Sequence, residues 1–375
     1  MLRIKEISSY EQFKDMKKAW GDLISRSQVD NIYLTYDWIN AHISHCCDSD
    51  RLMILTVLDG DTLTGIAPLI VRKNSFMGIT VRSVCFIGTR ESDRMDFILS
   101  ADTDKEESLL SIMDYLMGIE KDWDLLDFQE ITRSSGTIEM IKKVAKLRKL
   151  KFVLYPENRS FFIKFNCNMD YFLNKISKKL DKKMKKLNKT VKTGLKFEHY
   201  PRNEVKESLY SDIRFIAERS WKAQRDKSIF LKKETKSFHK ELFLDFARSG
   251  YMDISILRMD DTPIAYRYNF LYNGRLYGYS MDFDIKYAYI SPGTMLTLWS
   301  IEKLASIGIK EIDFGRGEEE WKMRLTQDFR MHEKIQVFNN SFYGKNLYLF
   351  YSCIKCIKKN KALYGILRKA KQGFL

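Results

Sequence analysis

Nowhere in the 375 residues does an apolar run approach the roughly 20 that a membrane-spanning helix requires, and the mean hydropathy is −0.35. A soluble chain is expected. Met1 to Ile7 carries charge throughout and lacks the apolar stretch of a secretion signal, so it reads as a first strand with a cytoplasmic address. Cysteine is scarce. Cys46, Cys47, Cys85, Cys167, Cys353 and Cys356 lie scattered along the chain, which excludes a disulfide framework and fits a reducing compartment. Cys353 and Cys356 form one C-x-x-C, but no second pair exists to complete a zinc site. His42, His45, Cys46 and Cys47 have no acidic or cysteine cluster to join, so an ordinary helix end accounts for them and no metal is expected. Acid is the minority charge: 49 acidic against 64 basic residues leave +15. That balance favours anionic partners, whether phosphorylated ligands, nucleic acid or an anionic membrane surface.

What is present is apolar material enough for real cores, 45% hydrophobic and 13% aromatic. The length makes two domains the default. Helical spacing over 10–27 and 35–46 precedes two strands, Arg51 to Val57 and Leu63 to Val71, around the turn Asp59-Gly60-Asp61-Thr62. Strands near 81–87, 96–99 and 125–131 enclose a helix over 106–119; a helix over 136–150 and strand segments near 151–155 and 160–165 follow. A lysine-rich helix over about 168–193 keeps Phe172, Ile176, Leu180, Met184, Leu187 and Val191 on one face. It reads as a bridge between halves. After helices near 204–223 and 234–249, Ile254 to Ala265 repeats the strand, Asp-rich turn and Ile-Ala of Ile54 to Ala67, which suggests a duplicated module.

The densest chemistry runs from Arg267 to Lys322. Two strands turn at Asn273-Gly274; the chain then passes Asp282-Phe283-Asp284 to Tyr289-Ile290-Ser291-Pro292-Gly293 and a helix from Thr294 to Ser306. Ser291 suits an N-cap, Pro292 the first helical position, and Gly293 lets a ligand approach the backbone. The free N–H groups and positive end of such a helix suit a pyrophosphate. Ser-Pro-Gly also starts ordinary helices, and the residues alone favour that plainer reading. After Gly308 a strand ends in Asp313-Phe314-Gly315-Arg316-Gly317-Glu318.

The order Pro263-Ile264-Ala265, Tyr289, Ser291-Pro292-Gly293, Gly308, Asp313-Phe314-Gly315-Arg316-Gly317 and Trp321-Lys322 resembles the cellulose-biosynthesis-type (CelD/BcsL-like) acetyltransferase domain. That group belongs to the GNAT superfamily and is related to the FemAB transferases. Tyr33 to Trp38, Cys85 to Gly88 with Ser92-Asp93 and Asp96-Phe97, and Ser220-Trp221-Lys222 extend the resemblance over nearly the whole chain. It implies an α+β fold of tandem GNAT-like domains, each a central mixed, mostly antiparallel sheet flanked by helices. The expected boundaries are 1–165, a basic bridging helix over 166–200, a transferase domain over 201–345, and a basic, aromatic helical tail over 346–375. It further implies an acetyl-CoA or other acyl-CoA donor held at Ser291, Pro292, Gly293 and Thr294.

For catalysis, an amine must lose a proton and the leaving thiolate must gain one. Asp313 is the first choice on the acceptor side, with Asp282, Asp284 and Glu318 as further carboxylates. Tyr289 or Tyr279 is the candidate acid. Arg267, Asp284, Arg316 and Lys322 are the candidates for substrate contact; Trp221 reads as packing. The expected function is N-acylation of an amine, with an amino sugar of surface-polysaccharide synthesis as the acceptor the resemblance suggests. Two rivals remain. A Fem-type transferase would take its acyl group from tRNA; the basic helix favours it, and the lack of two long heptad segments opposes it. A non-catalytic RNA binder is the other, against which the dense Asp and Tyr motif argues. The lysine helix, and the tail from Leu347 to Tyr351 with Lys355, Lys358 and Lys359, leave an anionic membrane surface open as a contact. Docking of that tail on the second domain is the preferred reading.

Overall fold

A computed structural model describes residues 2–27, 31–47, 50–76, 79–165, 169–190 and 194–359. In chain order, the first elements are β1 (Arg3–Ile7), α1 (Tyr10–Lys14), α2 (Lys17–Arg26), α3 (Tyr36–Cys46), β2 (Arg51–Asp59), β3 (Thr62–Phe76) and β4 (Ile79–Phe86). Then come β5 (Ile98–Leu99), α4 (Lys105–Gly118), β6 (Leu125–Thr132), α5 (Thr137–Leu147), β7 (Lys151–Lys164), α6 (Asp170–Thr190) and β8 (Leu195–Pro201). The rest are α7 (Ser208–Glu218), α8 (Lys236–Arg248), β9 (Met252–Met259), β10 (Thr262–Tyr272), β11 (Arg275–Phe283), α9 (Pro292–Ser306), β12 (Glu311–Arg316), α10 (Glu320–Met323), β13 (Phe329–Phe338) and α11 (Phe342–Lys359). They sort into two units. Unit 1 holds Met1–Val29, Ser49–Glu157 and Met331–Leu375; unit 2 holds Asp30–Asp48 and Asn158–Arg330.

In unit 1, β1, β2, β3 and β4 pair antiparallel in that order, and β4 then runs parallel to β6 at Ser83↔Leu125 and Val84↔Leu126. The β2–β3 turn needs Gly60, whose φ of 58° lies in the left-handed region. Parallel strands require a crossover, supplied here by the segment containing α4. Asp104 caps that helix, its carboxylate accepting the N–H of Glu106 (2.8 Å) and Glu107 (3.3 Å). β13 completes the sheet against β6, with Val337 opposite Leu126. Helix α11 lays Leu347, Tyr348 and Tyr351 on Val81, Leu125, Val153 and Phe338. The aromatic tail therefore docks in the first unit, not on the second domain as expected, because the strand leading into it belongs to that sheet.

Unit 2 repeats the plan. β8, β9, β10 and β11 are antiparallel, β11 runs parallel to β12, and the second half of β7 closes the sheet antiparallel to β12. Alternation along β10 splits its side chains between two faces. Tyr266 and Tyr268 contact Phe230, and Phe270 contacts Phe246 of α8, whereas Arg267 reaches Thr297 of α9. Helix α6 packs on the α9 side, burying Ile176 and Leu180 with Met295, Leu298 and Ile301. Its lysines 175, 178, 179, 182 and 185 remain exposed. It is a packed helix of unit 2; Val191 and Lys192, expected at its end, lie outside the described residues, as do 360–375 of the tail.

These units differ from the boundaries expected at 165, 200 and 345. Long-range packing is the reason. Trp38 of α3, fully buried, meets Phe238 at 6.1 Å, Phe246 at 5.9 Å, Phe270 at 5.6 Å and Tyr279 at 5.8 Å between ring centroids. This draws an N-terminal helix into unit 2. Trp38→Ala is accordingly expected to lower stability by about 3–5 kcal/mol, read as a shift in the denaturant midpoint.

Candidate functional site

The parallel strands of unit 2 part early. β11 and β12 pair only at Arg275↔Glu311, Leu276↔Ile312 and Tyr277↔Asp313. At the same point β11 bulges: Tyr268 faces Ser280, but the next β10 residue, Asn269, faces Gly278, leaving Tyr279 outside the register. A side chain at Gly278 would crowd the neighbouring strand, since a Cβ would stand 3.1 Å from Asp313 O and 3.4 Å from the Phe314 Cα. Leu276 and Tyr277 are buried, while Gly278, Tyr279, Ser280 and Met281 are half-exposed although their strand is central. That change of exposure marks an open split beside β11. An inner strand edge of this kind can hydrogen-bond an extended ligand as a further strand would.

The start of α9 stands at the end of this path. Ser291 occupies the N-cap position but with φ 58° and ψ 55°, and its side chain makes no capping bond. The expected Ser291 cap is thus absent, because the tight turn that ties Ser291 N to Ala288 O (3.0 Å) rotates the residue into the left-handed region. Pro292 takes the first helical position as expected, and the first turn carries no acidic residue. Among the described residues no group accepts the Gly293 N–H. A Cβ on Gly293 would lie 3.4 Å from the Phe283 ring and 3.9 Å from Met281, so this end of the helix abuts β11. Thr294 is exposed beside it. The equivalent helix of unit 1, α4, has its end filled by Asp104 and carries Glu106 and Glu107 in the first turn. An anion is welcome at α9 and repelled at α4.

The expected carboxylates fare differently. Asp282 is 2% exposed. One oxygen accepts the Phe283 N–H (3.0 Å), and the other accepts no hydrogen bond from the described residues. Lys222 Nζ stands 3.8 Å from that oxygen and donates to Met281 O at 2.6 Å. Burial outweighs Lys222, Ser220 and the Phe283 N–H, and pushes the carboxyl above its ordinary range. Asp284 accepts the Lys286 N–H (2.9 Å) and shapes the turn before α9. Asp313 accepts the Gly315 N–H (2.9 Å) and faces Arg330 at 3.5 Å, inside a network that includes Glu311 and Arg275. Glu318 pairs with Arg159 at 3.2 Å.

Of the expected cations, Lys322 is buried with its ammonium on Gly315 O (3.1 Å), Arg316 O (2.8 Å) and Glu319 (2.9 Å). It pins the turn after β12. Arg316 is half-buried at the end of that strand. Arg267 is buried between β10 and α9. Tyr289 is 66% exposed, on the turn before α9, whereas Tyr279 stands on the bulge with its ring 4.8 Å from Phe270 and 5.8 Å from His239. Trp221 is half-buried under Arg225. The structure therefore brings Gly293, Arg267, Met281 and Thr297 together on the α9 face beside the split, with Gly278 at its edge, while Asp282 and Tyr279 lie on the opposite, α8 face of β11. Gly278, Met281 and Thr297 went unread in the sequence. A glycine inside a strand was the available signal for the first. His239 adds no base here, since burial pushes it down to about 3.

Among the described residues no group of His, Cys, Asp and Glu is arranged to hold a metal ion, and no helix is long and apolar enough to cross a membrane. Cys353 is exposed on α11, while the Cys356 side chain lies outside the described residues.

Residues 174–323 match the family model described as an acetyltransferase (GNAT) domain. No curated protein matches the chain by sequence. Among solved structures, one of FemX is 10% identical, covers 93% of this chain and 99% of its own, and has a TM-score of 0.61. The C-terminal domain of a putative lysylphosphatidylglycerol synthetase from Agrobacterium fabrum is 11% identical over 89% and 95%, at 0.55. A tandem GNAT protein from the clavulanic acid biosynthesis pathway is 9% identical over 91% and 100%, at 0.50. The fold is a tandem GNAT-like one, and the stretch that matches the acetyltransferase model lies within unit 2.

Proposed function

We propose that unit 2 transfers an acyl group from acyl-CoA to an amine, with acetyl-CoA the simplest donor and an amino sugar of surface-polysaccharide synthesis as the acceptor. The observation that carries this reading is the unfilled α9 N-terminus at the end of the split between β11 and β12. A coenzyme A pyrophosphate fits that helix end, which offers N–H groups and a positive dipole. The pantetheine arm, with two amides, fits the strand edge beyond Tyr277, and its thioester then reaches the bulge. Ser291, Pro292, Gly293 and Thr294 hold the phosphate end, and the exposed Tyr289 suits that end better than proton transfer.

In the reaction, the amine nitrogen attacks the thioester carbon, a C–N bond forms, and the oxyanion is met by backbone N–H groups of β11. Asp282 takes the proton the amine loses; its raised pKa brings it closer to working pH. The C–S bond breaks and Tyr279 protonates the leaving thiolate. Asp313 and Lys322 keep the end of β12 in place, and Arg316 and Asp284 border the acceptor.

Calorimetric titration with coenzyme A and acetyl-CoA tests the reading. Binding in the micromolar range, with acyl transfer to an amino-sugar panel, is expected. A second reading rests on the exposed lysines 175, 178, 179, 182 and 185 of α6, which would suit a tRNA-borne donor. Absence of binding by either coenzyme, with salt-dependent binding of tRNA, would put that reading first.

A further inference from the structure

Resting on the acyl-CoA reading above, we propose that Arg267 selects the donor: the acyl group delivered to the split carries its own carboxylate, as in a malonyl or succinyl thioester. Arg267 is 3% exposed and projects from β10 toward α9. Among the described residues its one hydrogen bond runs from Nη1 to Thr297 Oγ1 (3.1 Å), whose own proton goes to Gly293 O (2.8 Å). Nε is buried and makes no hydrogen bond to any described residue. Among the described residues the guanidinium forms no ion pair. Asp253, the carboxylate that acts on it from a distance, is committed to His199 Nε2 (2.7 Å) and Asn269 Nδ2 (3.3 Å). Burial pushes Arg267 down to about 10, so it remains a cation at neutral pH.

A buried cation with one neutral partner is an unfinished arrangement, because desolvation is offset only when an opposite charge is supplied. Its place says where that charge comes from. Nη2 lies 3.6 Å from the point where a Cβ on Gly278 would stand, and the guanidinium carbon is 6.0 Å from the centroid of the Phe314 ring. Gly278 and Phe314 are where β11 and β12 part, the position that the acyl end of a donor in the split would reach. The unused Nε and Nη2 form one side of the guanidinium fork, the geometry that receives a carboxylate in two parallel hydrogen bonds. The pyrophosphate does not answer the need, since it is met at the solvent-facing start of α9. Neither does an acetyl group, which brings no charge.

The test compares three ligands on the intact wild-type protein by calorimetry: coenzyme A, acetyl-CoA and succinyl-CoA. Succinyl-CoA is expected to bind at least about tenfold tighter than acetyl-CoA, as a buried charge-assisted pair requires. In Arg267→Met the succinyl-to-acetyl preference is expected to fall to one or below, and Arg267→Lys to restore part of it. Equal wild-type affinity for the two thioesters, with coenzyme A still bound, overturns this inference alone. No binding of coenzyme A at all overturns the donor reading beneath it. Because the wild-type comparison stands without any variant, an Arg267 substitution that fails to fold does not leave the matter open.

Discussion

Gly293→Glu is expected to remove coenzyme A binding while leaving the fold intact. The backbone at Gly293 lies outside the left-handed region, and an added Cβ meets the Phe283 ring at 3.4 Å and Met281 at 3.9 Å, which is ordinary contact. A carboxylate in the first turn of a helix also stabilises that helix by about 0.3–1 kcal/mol. The same carboxylate, however, occupies the place of the pyrophosphate, as Asp104 does at α4. Loss of the helix-end interaction together with repulsion between like charges amounts to about 2–3 kcal/mol, or roughly a 30-fold to 150-fold weaker donor. Gly293→Ala, which adds bulk without charge, is expected to stay within several-fold of wild type. Calorimetry and thermal unfolding on the three proteins decide it: if the Glu variant binds like wild type at an unchanged melting temperature, the donor phosphates are held elsewhere.

Local signals in the sequence were enough for most elements of this fold. The hairpin turns at Asp59-Gly60 and Asp260-Asp261 announce themselves, because such turns need left-handed residues, and Gly60, Asp260 and Asp261 all have positive φ. The start of α9 was legible from Pro292, and the α6 face from the spacing of Ile176 and Leu180. Assignment of segments to units was not, since it depends on partners far away in the chain. Trp38 joins unit 2 through Phe238, Phe246 and Phe270, and β13 joins unit 1 through its register with β6. Residue types alone could not have shown this.

The site was legible in its parts and illegible in its roles. Asp282, Gly293 and Arg267 were all singled out, but an aspartate in a motif looks the same whether it anchors a turn or faces a substrate. Asp313 and Asp282 are both nearly buried; what separates them is that Asp313 is engaged by Gly315 and Arg330 while Asp282 keeps one oxygen without a hydrogen bond. Lys322 reads as a cation for an anionic acceptor, yet two carbonyls and Glu319 use its ammonium. The bulge at Tyr279 has no sequence signal beyond the glycine beside it.

Asp282→Asn is expected to abolish most of the chemistry and raise stability together. Removing a positioned base costs roughly a hundredfold to ten-thousandfold in kcat, and the amide keeps the shape of the carboxyl. The stability effect follows from the direction of the pKa shift. Burial raises Asp282 above its unfolded value, so between the two values the folded protein holds a proton that the unfolded chain has lost. Stability is then greatest while the carboxyl is protonated, declines as pH rises through that window, and stays reduced above it. The amide of the variant never ionises, so the variant is expected to melt above wild type at neutral pH and to lose the advantage in acid. The wild-type pH–rate profile should carry an acid limb set by this carboxyl, displaced upward from the ordinary aspartate range, and the variant should lack it. Lys222, at 3.8 Å and partly solvated, loses only a weak partner. A variant with kcat within threefold of wild type, or one that melts lower at neutral pH, would show that Asp282 is a structural carboxylate and return the search for the base to the acceptor itself.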